Sequence, residues 1–161
     1  MARTFSSRKS WKDKLHNQDH SKVIEISARM VKRFGRGTML IPKPLDVDAL
    51  IRKVKKGKLL TVSEIRSKLA RDNKVDTTCP LTTGIFVRIV AEAAEEELRD
   101  GKKRVTPYWR VIREDGSLNE KFPGGVNSQA RRLKEEGHSI LPGQGNRPPK
   151  LQDFEKALMR L

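Results

Sequence analysis

The 161-residue chain is 35% hydrophobic and 34% charged, with 35 Lys and Arg against 20 Asp and Glu, a net charge of +15 and a pI near 10.3. The apolar share suffices for one modest core but is lean for a compact enzyme, while the lone Cys79 excludes an intrachain disulfide and a zinc site built on several cysteines. The cationic excess favours a polyanionic partner, with DNA expected and RNA left open; no apolar run approaches membrane-spanning length, and a cytoplasmic monomer without cofactor or metal is expected.

Residues 1–45 hold 11 cations against 3 acids, 11 − 3 = +8 of the excess. They read as a basic, partly ordered extension with a loose extreme N-terminus. His16 and His20 have the i,i+4 spacing of a metal clamp, but the surrounding HNQDH supplies no obvious third ligand, so a solvated helix end is expected. KVIEISARMVKRFG predicts a strand turning into a short helix, and GRGTMLIPKPL a glycine turn, a short strand and a proline break. In LDVDALIRKVKKG the apolar positions 47, 50, 51 and 54 predict a helix capped by Asp46 and stopped by Gly57. After a short extended KLL, Thr61-x-x-Glu64 is a capping-box pattern opening a helix over 61–73, with Val62, Ile65 and Leu69 on one face. VDTTCPLTTG is a turn. A helix over about 80–99 is expected to bury Ile85, Phe86, Ile89, Val90, Ala93 and Leu98, and to end at Gly101.

Beyond it, the β-rich VTPYWRVIR runs into Asp115-Gly116, a hairpin turn signal. VNSQARRLKEEGHSI predicts a further helix with Asn127 or Ser128 as cap and Gly137 as stop. PGQGNRPPK is a loop, and LQDFEKALMRL a closing amphipathic helix carrying Leu151, Phe154, Leu158 and Leu161. Helices followed by a hairpin outline a winged helix-turn-helix, mainly α with a small β wing. The expected organisation is an extension over 1–45, the winged domain over 46–140, and a loop and docked helix over 141–161.

GKLLTVSEIRSKLA, TPYWRVIREDGSL and FPGGVNSQARRLKEEGH together resemble the DNA-binding domain of the methylated-DNA–protein cysteine methyltransferases. They resemble most the alkyltransferase-like proteins that lack the acceptor cysteine. The resemblance covers about Asp48 to His138. The family's Pro-Cys-His-Arg-Val motif falls on Pro107, Tyr108, Trp109, Arg110 and Val111; its aromatic-x-Gly-Gly and Glu-Gly fall on Phe122, Gly124, Gly125, Glu136 and Gly137. Methyl acceptance needs a thiolate assisted by a histidine that a glutamate orients. Here the cysteine position is Tyr108, the histidine position is Trp109, and only Glu136 remains. A phenol with a pKa of about 10 is a poor nucleophile for a methyl group, so no enzyme is expected. Cys79, at the start of the long helix, is either a displaced nucleophile or a small helix-start residue.

The resemblance also implies where DNA would lie. The family's base-displacing arginine falls on Leu81, which could wedge between bases or sit in the core. Its phosphate-rotating tyrosine falls on Val62, and its asparagine hinge has no counterpart in EAAEEELRDGKKR. Thr77, Thr78, Thr82, Thr83 and Gly84 stand at a helix N-terminus suited to phosphate, and Arg88 lies one turn further on. The runs Lys53, Lys55, Lys56, Lys58 and Lys102, Lys103, Arg104 flank the unit, and Arg110 would brace the strand. Leu81, Tyr108, Trp109 and Phe122 are the base-pocket candidates. Two readings stay open. One is a non-catalytic alkyltransferase-like protein that recognises alkylated or otherwise damaged bases, with repair proteins as candidate partners. The other is a structural or regulatory winged-helix binder of DNA or RNA, in which Tyr108 and Trp109 only pack.

Overall fold

The computed structural model describes residues 9–17 and 20–161; the expected loose extreme N-terminus lies outside the described residues. In chain order come α1 (Trp11–His16), β1 (Lys22–Glu25), α2 (Ala28–Phe34), β2 (Thr38–Ile41), α3 (Pro44–Ile51), β3 (Leu60–Thr61), α4 (Val62–Asp72), β4 (Thr77–Thr78), α5 (Pro80–Arg99), a 3₁₀ turn (Tyr108–Arg110), β5 (Val111–Ile112), α6 (Gly125–Glu135), β6 (Ile140–Leu141), β7 (Lys150–Leu151) and a second 3₁₀ turn (Phe154–Ala157).

The two helices of the helix-turn-helix begin differently. Thr61 caps α4 by accepting the Glu64 N–H at 3.2 Å, but the Glu64 carboxylate does not return the bond and takes the Leu161 N–H at 2.9 Å. α5 starts on Pro80, whose missing N–H costs nothing in a first turn. Thr83, fully buried, donates its hydroxyl to the Cys79 carbonyl at 2.7 Å and tightens that turn. The buried face of α5 is Thr83, Phe86, Val87, Val90, Ala91, Ala93, Ala94 and Glu97, which keeps Phe86, Val90 and Ala93 of the expected stripe but is rotated away from Ile85. Ile85 therefore points outward, 50% exposed. Alanines at 91, 93 and 94 let α1 and α3 approach α5 closely.

Two apolar clusters form the interior. The larger gathers Leu40, Val47, Ile51, Leu60, Ile65, Val87, Val90 and Tyr108; the smaller gathers Leu59, Ile112, Leu118, Leu133, Leu151 and Phe154. Trp109 packs against both.

Several elements differ from expectation. α1 ends at His16, where a solvated helix end is expected, but its start carries a signal the sequence reading missed. That signal is Ser10 with Asp13, which form a reciprocal capping box, and Leu15 enters the core at 3% exposed. β2 pairs antiparallel with β1 and parallel with β4, so residues 38–41 share a sheet with the turn leading into α5, and the chain crosses position 45 without a break in structure. α3 starts at Pro44 rather than on an Asp46 cap. The closing α-helix does not form. Leu151 pairs with Ile140, and the backbone of Leu59 is stitched to Ala157 and Met159 at 2.9 and 2.8 Å. This ladder satisfies the backbone while burying Leu151 and Phe154, so tertiary pairing overrides the helical period. The Asp115-Gly116 turn closes as expected, with Arg113 N–H on the Ser117 carbonyl at 3.1 Å. Its returning arm bridges to Lys150 instead of β5, and β5 pairs parallel with β3.

Candidate nucleic-acid interface

The TPYWR stretch is built as a lock. Thr106 donates its hydroxyl to Asp48 at 2.6 Å, fixing the chain just before the 3₁₀ turn. Tyr108 is then driven inward, 1% exposed, with its ring edge-to-face against Trp109 and Phe122 at 5.5 and 5.3 Å. Its hydroxyl donates to Glu95 at 2.6 Å, and the same carboxylate oxygen takes Arg132 at 2.6 Å. Burial, reinforced by the hydrogen bond to Glu95, pushes the phenol far above its ordinary range.

The Trp109 indole N–H donates to Glu136 at 2.9 Å. Arg110 grips the same carboxylate with Nε at 3.0 Å and Nη2 at 2.7 Å, and gives Nη1 to the Val54 carbonyl at 2.6 Å. The two side chains are 13% and 8% exposed. Burial pushes the Glu136 carboxyl up, but the hydrogen bonds from Arg110 and Trp109 outweigh it and hold the carboxyl below the usual glutamate range. The Arg132 guanidinium lies over the Trp109 ring at 4.4 Å. Gln129, 1% exposed, closes the unit by donating to the carbonyls of Trp109 and Val111.

These contacts correct several expectations. Tyr108 and Phe122, 1% and 3% exposed, offer no face to an incoming base. Trp109 is faced by Arg132, and Arg110 spends donors on Glu136 and Val54, so it braces the strand. Thr78 and Thr83 are fully buried and bond backbone carbonyls of Arg66 and Cys79, because a folded helix-turn-helix needs its own turn satisfied before any phosphate. Thr77 accepts from Arg66 at 3.3 Å, and Thr82 donates to Cys79 Sγ at 3.2 Å. Lys102, Lys103 and Arg104 follow the far end of α5, about 30 Å of helix from Leu81, with Lys102 on Glu97 at 3.3 Å.

What α5 does present is a stripe of Leu81, Gly84, Ile85 and Arg88, spaced 3, 1 and 3 residues apart and all exposed. Leu81 is 70% exposed, so it is no core residue. A side chain added at Gly84 would meet nothing within 4 Å, which leaves the helix backbone open to close approach. Beside the stripe lies a groove of about 510 Å³, whose other walls come from Trp11 and Lys14 of α1 and from Arg113, Asn119 and Lys121. Lys53, Lys55, Lys56 and Lys58 are exposed in the loop after α3.

No protein-family model matches the sequence, and no curated protein matches it. Among solved structures the chain is similar to S. pombe Atl1 in complex with damaged DNA containing O6-carboxymethylguanine, at 21% identity and a TM-score of 0.50, over 73% of this chain and 94% of that one. A second structure, S. pombe ATL in complex with DNA, is 18% identical with a TM-score of 0.46 over the same shares.

The fold is a winged helix-turn-helix. It is mainly helical with a small β wing, as the sequence pattern implies. In it α4 and α5 are the helix pair, and the segment from β5 through the Asp115-Gly116 turn is the wing. The groove residues Trp11, Lys14, Arg113 and Lys121 escaped sequence reasoning, because all four come from segments that tertiary packing alone brings to α5. Glu95 and Arg132 escaped it too, since charges on two separate helices carry no sign of a shared partner.

Proposed function

We propose that the protein is a non-catalytic DNA-binding protein of the alkyltransferase-like type, which docks α5 on DNA and recognises duplexes weakened by alkylated or otherwise damaged bases. The observation that carries the reading is the exposed Leu81–Gly84–Ile85–Arg88 stripe on the second helix of the helix-turn-helix, bordered by Lys14, Arg113 and Lys121. A net charge of +15 supports a polyanionic partner. The likeness in fold to Atl1, which was solved with damaged DNA, supports the reading by analogy. Leu81 is the wedge: an apolar side chain at a helix start can enter a base step, and unstacking is least costly where a base is damaged.

The chemistry at position 108 supports the non-catalytic reading. A buried phenol held neutral by Glu95 has neither the charge nor the access to accept a methyl group. Cys79 is half-buried with its sulfur engaged by Thr82, and serves as the helix-start residue. The burial of Tyr108 and Phe122 favours a second reading, a winged-helix binder of DNA or RNA without any base pocket. Equilibrium binding to duplexes with and without one O6-alkylguanine separates the two. Damage recognition predicts at least roughly tenfold tighter binding to the modified duplex, about 1.4 kcal/mol. Equal affinities would overturn it in favour of the second reading. Methyl label appearing on the protein would overturn both.

A further inference from the structure

We infer that the groove between α1, the first turns of α5 and residues 113–121 is a site for an unpaired nucleic-acid strand. The inference rests on the proposed DNA-binding reading and specifies what the α5 surface accommodates. The floor is Leu81 and Ile85, 70% and 50% exposed and one helical turn apart. Two large apolar side chains left open side by side in a concave surface mark a binding site more than scattered exposure does. The rim is cationic: Lys14, Arg88, Arg113 and Lys121 line the groove, and among the described residues no acid does. Trp11 forms the α1 wall, with Lys14 Nζ 4.0 Å and the Arg88 guanidinium 5.9 Å from its ring centre.

An apolar and aromatic floor inside a ring of cations suits a strand whose bases turn inward and whose phosphates stay at the rim. A fully paired duplex offers phosphates but no base faces, and would leave the floor uncovered. The α1 wall is preformed. Trp11 and Lys12 donate their backbone N–H groups to Glu96 at 2.8 and 3.4 Å, and Leu15 is anchored in the core. Arg88 is held only loosely by Glu92, at 3.9 Å with half its side chain exposed, so it is available to a phosphate.

The test uses the full chain with an oligothymidylate of about 12 nucleotides, within the usual single-strand site size, and with a paired duplex. The chain has two tryptophans, and Trp109 is enclosed by Tyr108 and Arg132. Oligothymidylate should quench the fluorescence of the wild type but not of Trp11→Phe. Lys14→Ala combined with Lys121→Ala, both at exposed positions, should weaken it at least roughly tenfold and flatten its salt dependence. Duplex binding with no quenching from Trp11, or with oligothymidylate affinity unchanged in the lysine double variant, overturns the inference and leaves the DNA-binding reading standing. Binding to neither form overturns both.

Discussion

Replacing Arg110 by alanine tests whether the TPYWR stretch is a structural lock. Arg110 gives three of its nitrogens to the Glu136 carboxylate and the Val54 carbonyl, and both charged side chains are nearly out of solvent, 13% and 8% exposed. Removing the guanidinium leaves Glu136 buried with only Trp109 and the Gly57 N–H as donors. Breaking such a pair costs about 3–5 kcal/mol. For a chain of this size each kcal/mol moves the melting temperature by about 2–4 °C, so a fall of roughly 6–20 °C is expected. The loss also depends on pH in a definite direction. Glu136 is held below its ordinary range, so its contribution is full above the unfolded carboxyl pKa of about 4.3 and is lost as pH falls through the folded value. Thermal melts followed by circular dichroism at pH 7 and pH 3.5 measure both effects. The gap between wild type and Arg110→Ala should be wide at pH 7 and narrower at pH 3.5. A variant melting within about 1 °C of wild type at pH 7 would refute the brace.

Four further outcomes follow from the same geometry. Tyr108 is the only tyrosine, so ultraviolet titration of the native protein should show no phenolate until alkaline unfolding; its contribution is full below about pH 10 and declines as pH rises beyond it. Tyr108→Phe should cost about 1–2 kcal/mol in chemical denaturation and leave DNA affinity unchanged, because Glu95 keeps Arg132. Thr83→Val should cost about 1 kcal/mol of stability by deleting the bond to Cys79, with no change in DNA affinity, which loss of a phosphate-contacting threonine would lower. Gly84→Ala should do the opposite, raising stability by about 0.5–1 kcal/mol as a better helix former in open space while weakening DNA binding measured by fluorescence anisotropy.

The sequence revealed those parts of the molecule whose signals are local. Thr61, Pro80 and the apolar spacing after them mark α4 and α5, and Asp115-Gly116 marks the wing turn. Trp109 and Glu136, both singled out in the sequence, meet through the indole N–H. Burial was less legible. Ile85 and Phe86 are equally apolar neighbours, and only the packing of α1 and α3 decides that Phe86 is buried while Ile85 faces out. Thr78 and Thr82 read alike as phosphate donors, yet the first spends its hydroxyl on the Arg66 carbonyl and the second on the Cys79 sulfur. The C-terminal segment was misread because Leu151, Phe154 and Leu158 fit a helical period, while their backbones find partners across the fold at Ile140 and Leu59.

The claim that DNA docks on the α5 stripe is tested most directly by duplex affinity as a function of salt, for wild type and Arg88→Ala. Each phosphate neutralised contributes about −0.9 to the slope of log K against log salt. The account predicts a steep slope for the wild type and a slope shallower by about one unit for Arg88→Ala. A flat wild-type slope, or identical slopes for the two proteins, would contradict it.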